Sequence, residues 1–273
     1  MIRDEIPLIK KTFAIIRSSL VLGLIYIVFY GLLINFARIA WFRAFGSQAP
    51  AFGPHFIVFQ FLPIILSQIL VAPLLDAGLF GLIFLMVTTG KWRSRDFLTW
   101  ARAGYTAFVK ITLILVLIHS IRGGISTLLW NPVLKSPGQI PWAVDLYNDA
   151  TPFLVQWLFL FAFPIATLGT HFKEKLKPIR RSLALTTLRF REILFVAFLM
   201  VADMCIGKAL SWTLMHLPIH ICEGKLIASW TKLTLTGVIG YAIEYIILIY
   251  SFVFLVEKVF KERLPQVTGD NHI

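Results

Sequence analysis

Long apolar runs, separated by short polar and basic connections, make up almost the whole chain. Six of them approach the roughly 20 residues that cross a bilayer core at 1.5 Å per residue. They predict spans at about 18–38, 68–90, 107–129, 152–171, 192–217 and 233–256. The second run starts at Phe56 and is too long for one straight crossing. Pro63 and Pro73 are therefore expected to divide it into an interfacial piece and a span ending near Gly90. The pieces between runs read as loops: Arg38–Pro54, Trp130–Thr151 and Pro218–Trp230. The first two carry Trp, Phe and Tyr residues suited to a membrane interface. The pattern predicts an all-α, polytopic transmembrane helix bundle. Residues 1–258 form its six-span membrane domain, and residues 259–273 a polar cytoplasmic tail.

Two basic stretches punctuate this pattern. In Gly90–Lys110, Phe97, Trp100, Ala101, Gly104 and Phe108 share one helical face, and Arg95, Thr99, Arg102 and Thr106 the other. That spacing predicts an interfacial amphipathic helix lying along cytoplasmic headgroups before turning into the third span. Lys173–Arg191 carries a less regular stripe of Leu176, Ile179, Leu183, Phe190 and Leu194, with Pro178 acceptable in a first helical turn. It is read as a second interfacial helix. Shifting the first stretch by about 85 positions superposes Arg95 on Arg180 and Leu98 on Leu183, a weak internal repeat.

Charge fixes the expected orientation. Across six spans, 19 of the 26 Lys and Arg residues fall on the side of the termini and 7 on the other. The positive-inside rule then puts both termini in the cytoplasm. The first apolar run is longer than a signal-peptide core and no small-residue cleavage site follows, so it is read as an uncleaved span.

Composition agrees with a membrane protein. The chain is 58% hydrophobic and 15% charged, with a mean hydropathy of +0.80. A soluble domain of this size needs a polar skin that these residues are too few to make. The net charge of +12 would suggest nucleic acid in a soluble protein. Here the bases cluster beside apolar runs, which points to topology and anionic headgroups and excludes nucleic acid as a partner. Cys205 lies in an apolar run and Cys222 in a loop, and nothing indicates a disulfide between them.

Three sets of residues carry candidate chemistry. Asp76, His119, Arg122, Asp203, Lys208 and Glu244 fall inside spans, roughly 15–25 Å from the basic ends. His119, Arg122 and Ser126 share one helix face, as do Gly237, Gly240 and Glu244. Charges at that depth are costly unless paired or hydrated. A structural network, in which the three acids neutralise Arg122 and Lys208, is favoured over a pathway for a proton, ion or small solute. Lys91, Arg93, Arg95, Arg102, Lys175, Lys177, Arg180 and Arg181 form the second set, read as contacts to anionic lipid. The third is His216, His220 and Cys222 in HLPIHICEG. One helical turn presenting them would suit a transition metal. Pro218 breaks that turn, so no metal and no cofactor is assigned. No nucleophile elbow, phosphate loop, HExxH or paired-Cys motif occurs, and no enzymatic activity is expected.

The segment PLLDAGLFGLIFLMVTTGKWRSRDFLTWARAGY resembles the second-span exit of the YciC-like six-span bacterial inner-membrane proteins. It is also similar to the membrane domain fused to some glycerophosphodiester phosphodiesterases. FAFPIATLGTHFKEKLKPIRRSLALTTLRFREI resembles the second half of the same pattern. Asp76 departs from it, standing where a small or apolar residue is expected. The resemblance implies a multi-pass protein of the bacterial inner membrane with no known reaction and carries over no catalytic residue. The expected function is a non-enzymatic membrane component that interacts with anionic lipids or supports envelope organisation. The alternative is a small transporter or channel using the intramembrane charges. Protein partners, and a homo-oligomer among them, are left open.

Overall fold

The computed structural model describes residues 2–28, 67–135, 142–216 and 224–261. Nine α-helices account for nearly all of them, and no strand occurs among the described residues. The helices are α1 (Ile2–Ser18), α2 (Leu20–Ile27), α3 (Ala72–Thr89), α4 (Ser94–Lys135), α5 (Trp142–Phe159), α6 (Ala162–Phe172), α7 (Pro178–Leu188), α8 (Leu194–His216) and α9 (Gly224–Phe254). π-Helical turns at Ser67–Val71 and Leu255–Val259 flank α3 and α9, and a 3-10 turn at Phe190–Ile193 precedes α8.

Four segments are long and apolar enough to cross a membrane: Ile69–Thr89, Ser94–Ser126, Leu146–Phe172 and Gly237–Val259. They overlap the expected second, third, fourth and sixth spans. The chain is thus all-helical where described, and its composition is that of a multi-pass membrane protein. The fifth expected span is helical as α8 but is not among the four. Residues 29–38 of the first expected span, the loop Arg38–Pro54 and Pro63 lie outside the described residues.

Several expected boundaries move. Most of Trp130–Thr151, read as a loop, is helical: α4 continues to Lys135 and α5 begins at Trp142. Pro152 therefore sits inside α5 rather than opening a span. Pro73 lies where the π-helical turn Ser67–Val71 passes directly into α3, so the helical segment runs through it instead of starting there. Helix α9 begins at Gly224, inside the expected loop Pro218–Trp230. Glu257, just before the expected tail, pairs with Lys11, and Phe260 at its beginning is buried.

The chain folds as two interleaved compact units. A terminal unit comprises Met1–Ser67, Leu82–Ser94 and Arg191–Ile273, and a central unit comprises Gln68–Gly81 and Arg95–Phe190. In the terminal unit, α1, α2 and α8 each pack against α9. The buried stripe on α1 and α2 is Glu5, Leu8, Thr12, Ile15, Ser19, Leu22 and Tyr26. Its alternating steps of three and four keep one face on a neighbouring helix. At Gly23, an added Cβ would lie 2.8 Å from the Tyr245 ring, so glycine lets α2 approach α9 closely.

In the central unit the apolar face of the first basic stretch meets α3. A Cβ on Gly78 would lie 2.4 Å from Phe97, and one on Gly81 would lie 2.1 Å from Trp100. The two rings fill the notches that these glycines leave. Further along, Ala77, Phe108, Ile111, Ala162 and Ala166 form a buried cluster. Phe80, Phe108 and Phe163 pack around it with ring centroids 5.0–5.8 Å apart. The expected turn between an interfacial helix and the third span is absent, because Ser94–Lys135 is one helix of 42 residues. The aromatic face that reads as lipid-facing is a seam with the chain's own α3.

The second basic stretch buries a different kind of residue. Helix α7 starts with Pro178 in its first turn, as expected, and packs along α5 and α6. Its buried positions are Ser182 and Thr186, whereas Leu183 of the expected apolar stripe, and Leu188 outside it, face outward. Ser182 sits at the break between α5 and α6. Its hydroxyl donates to the Leu158 carbonyl at 2.8 Å and accepts from the Phe161 N–H at 3.1 Å. Both are groups that a helix interruption leaves without partners.

Candidate functional site

In the central unit, helices that carry or adjoin bases of both basic stretches contact each other. Trp100, near the start of α4, stacks on His171, near the end of α6, with centroids 6.2 Å apart and planes 20° from parallel. This contact sets the middle of the first basic stretch against the residue two before the second. All eight bases read as lipid contacts are exposed: Lys91, Arg93, Arg95, Arg102, Lys175, Lys177, Arg180 and Arg181. Beside the second group, Leu188 is 84% exposed and Phe190 48% exposed. The Phe190 ring also touches Trp157 of α5 at 5.6 Å. Exposed bases next to exposed large apolar side chains fit a surface that meets both headgroups and acyl chains.

Along α4, Lys110 is the last exposed base before an outward apolar strip of Leu113, Leu117, Ile121, Ile125 and Leu128. From Lys110 to Leu129 the helix rises roughly 29 Å, about one hydrocarbon thickness. Arg122 interrupts this strip about 18 Å beyond Lys110.

The six residues expected inside spans divide between the units, with Asp76, His119 and Arg122 in the central one and Asp203, Lys208 and Glu244 in the terminal one. In the terminal unit, Asp203 of α8 faces Gly240 of α9, its Oδ1 lying 3.5 Å from where a Cβ would be. One turn further along α9, the Glu244 carboxylate accepts from the Tyr26 hydroxyl at 3.5 Å. Asp203 and Glu244 thus lie on neighbouring turns of one seam, which the small residue at 240 opens. Lys208 is exposed on α8.

In the central unit, α5 contributes polar partners to the His119–Arg122–Ser126 face. Ser126 donates to Asn148 Oδ1 at 2.8 Å, and Tyr147 donates to the Arg122 carbonyl at 3.4 Å. The Arg122 Nε is buried and has no hydrogen-bond partner among the described residues. Asp76 is half-buried in α3, next to Ala77 at the seam with α4, and has a partner.

Sequence reasoning missed the polar seam of α1 and α2. Tyr245 donates to the Ser19 hydroxyl at 3.0 Å, and Glu5, 5% exposed, accepts from the Leu194 N–H at 3.1 Å. Burial pushes the Glu5 carboxyl above the ordinary carboxylate range, while the backbone N–H groups of Leu194 and Phe195 pull against that shift. The step pattern 5, 8, 12, 15, 19, 22, 26 is visible in the sequence only once polar residues are admitted to the stripe.

No group of three or more His, Cys, Asp or Glu is placed to hold a metal among the described residues. His220 and Cys222 lie outside those residues. Helix α8 reaches His216, whose side chain lies outside the description. Comparison with known proteins returns no match: no family model fits the chain, and no curated protein or solved structure is similar to it.

Proposed function

We propose that this protein is a non-enzymatic, multi-pass component of a bacterial inner membrane that holds anionic phospholipid headgroups at its basic stretches. Its termini lie in the cytoplasm, as the charge bias predicts. This agrees with what the resemblance to YciC-like proteins implies. The observation that carries the reading is the surface of α7, where exposed Arg180 and Arg181 adjoin exposed Leu183, Leu188 and Phe190. A helix with only a topological role has no need to leave large apolar side chains outward beside its bases. The test is retention of phosphatidylglycerol over phosphatidylcholine by protein purified from mixed vesicles. Two bases at about 1 kcal/mol each predict a loss of roughly thirtyfold in preference for Arg180→Ala/Arg181→Ala. Unchanged preference in the double variant rejects the reading.

A second reading rests on Asp203 and Glu244. Two carboxylates on one intramembrane seam, with Tyr26 and the opening at Gly240, suit a passage for a proton or small cation. Reconstituted vesicles test it. Uptake abolished by Asp203→Asn and Glu244→Gln, with normal amounts of folded protein, supports transport. Uptake absent from the unaltered protein leaves these groups structural.

A further inference from the structure

Helix α1 carries a feature that neither reading uses. On the side away from its buried stripe, an outward line runs through Ile6, Lys10, Phe13 and Arg17 and passes into Leu20 and Leu24 of α2. Its steps of four and three keep one helical face. All six residues are exposed, Phe13 by 50%. The line changes character along its length: apolar residues alternate with bases in α1, and apolar residues stand alone in α2. Lys11 has a carboxylate partner in Glu257. The side chains of Lys10 and Arg17 have no ion pair and no hydrogen bond among the described residues.

The contacts of α1 and α2 fix the depth of these bases against α9. The helices run antiparallel to it: Lys11 pairs with Glu257, Ser19 meets Tyr245, and Tyr26 meets Tyr241 and Glu244. Glu257 stands near the end of the apolar segment Gly237–Val259, and Tyr245 well within it. Lys10, next to Lys11, therefore lies near the level where that segment ends. Arg17 is six residues past Lys11, roughly 9 Å further in. An exposed charge at that depth is costly unless it reaches water or a counter-charge. Long helical side chains lean toward the helix N-terminus, which carries the Arg17 guanidinium back toward the level of Lys10.

We infer that Lys10 and Arg17, with Phe13 between them, hold the phosphodiester of one glycerophospholipid whose acyl chains lie along Leu20 and Leu24. Two bases without a carboxylate supply the charge that complements a phosphate, and a guanidinium fork matches its oxygens. The apolar residues that follow match the chains beneath it. Arg17 reaches the headgroup from the hydrocarbon side, where the phosphodiester comes before the distal alcohol or amine. The site therefore recognises the phosphate and not the group beyond it, unlike the anionic preference assigned to α7. This rests on the chain being membrane-embedded and is independent of the role of α7.

The experiment titrates the full-length protein in detergent with phosphatidylcholine or with diacylglycerol and counts bound lipid by native mass spectrometry. Phosphatidylcholine is expected to bind as one retained copy, and diacylglycerol at least tenfold more weakly. Arg17→Ala is expected to weaken phosphatidylcholine binding at least tenfold, and Lys10→Ala several-fold. Arg17→Lys keeps the charge without the fork and recovers part of the loss. Both bases are exposed, so the variants are expected to unfold at the temperature of the unaltered protein. Arg180→Ala/Arg181→Ala leaves phosphatidylcholine retention unchanged, whereas the α7 reading fails or stands on the preference for phosphatidylglycerol. Diacylglycerol held as well as phosphatidylcholine overturns the inference. So does the absence of any retained phosphatidylcholine, or retention that survives loss of both Lys10 and Arg17.

Discussion

Both basic stretches begin where a helix closes on a left-handed residue. At the first, that residue is Gly90 with φ 70°, and its N–H bonds the Met86 carbonyl at 3.1 Å. At the second it is Lys173 with φ 54°, in a Schellman arrangement. There Glu174 N–H bonds the Gly169 carbonyl at 3.0 Å and Lys173 N–H the Thr170 carbonyl at 3.4 Å. Beyond these turns the stretches part. The first continues as α4 and seals its aromatic face against the glycines of α3. The second becomes the short α7, which buries two hydroxyls and leaves leucines outward. The first stretch leaves one large apolar side chain, Leu98, outward between Arg95 and Arg102, whereas the second leaves Leu183, Leu188 and Phe190 outward beside its bases and so offers a membrane more apolar surface. Similar composition therefore does not imply a similar role.

The largest expected effect is on the sealed face. Gly81→Ala places a methyl group against Trp100 and is expected to lower stability by about 3 kcal/mol. Gly124→Ala meets nothing among the described residues and is expected to raise it by about 1 kcal/mol. Thermal unfolding in one detergent measures both, and equal effects would remove the seam from the account. Next comes Ser182→Ala, which leaves the Leu158 carbonyl and Phe161 N–H without their partner. A loss of about 2 kcal/mol is expected, against near-neutrality for Leu183→Ala at an exposed position. The opposite ranking would restore the apolar stripe as the buried face of α7.

The turn residues should respond in opposite directions. Gly90→Ala is expected to cost about 1 kcal/mol, and Lys173→Gly to add about as much, since a non-glycine residue is strained at positive φ. The smallest effect concerns Glu5, which fastens the backbone just after the second stretch. Its raised pKa means that the folded state holds the proton more tightly than the unfolded chain does. That contribution is full below the ordinary carboxylate range and is lost as pH rises through the raised folded value. Glu5→Gln keeps an acceptor for Leu194 and removes the titration. Its unfolding temperature should vary less with pH across that window than that of the unaltered protein.

The parts of this structure legible in the sequence are those where apolar side chains do the packing. Phe97, Trp100, Ala101, Gly104 and Phe108 were readable as one face because their spacing is helical and their chemistry uniform. What that face meets was not readable, since a seam on α3 and a lipid surface select the same residues. The Ser182 site was hidden because its task is to satisfy a broken helix, and a lone serine carries no periodic signal. In α1 and α2, Glu5, Thr12 and Ser19 occupy positions that a search for apolar stripes passes over. Helix α5 begins at Trp142, among polar residues and prolines that suggest a loop, because packing overrides local propensity there. For the charges expected inside spans, neighbours were not readable: Tyr26, which bonds Glu244, lies 218 residues away, and Tyr147, which bonds the Arg122 carbonyl, lies on the following helix in a stretch read as a loop.

One measurement weighs the two stretches against each other as lipid contacts. Protein is reconstituted with equal phosphatidylglycerol and phosphatidylcholine, and the bound lipid is counted for Arg95→Ala/Arg102→Ala and for Arg180→Ala/Arg181→Ala. Each double variant removes two exposed bases, so charge alone predicts equal losses. The account predicts that most of the anionic preference disappears with Arg180 and Arg181, where Leu188 and Phe190 lie outward, and that most survives loss of Arg95 and Arg102. Equal losses, or a greater loss from the first stretch, would contradict it.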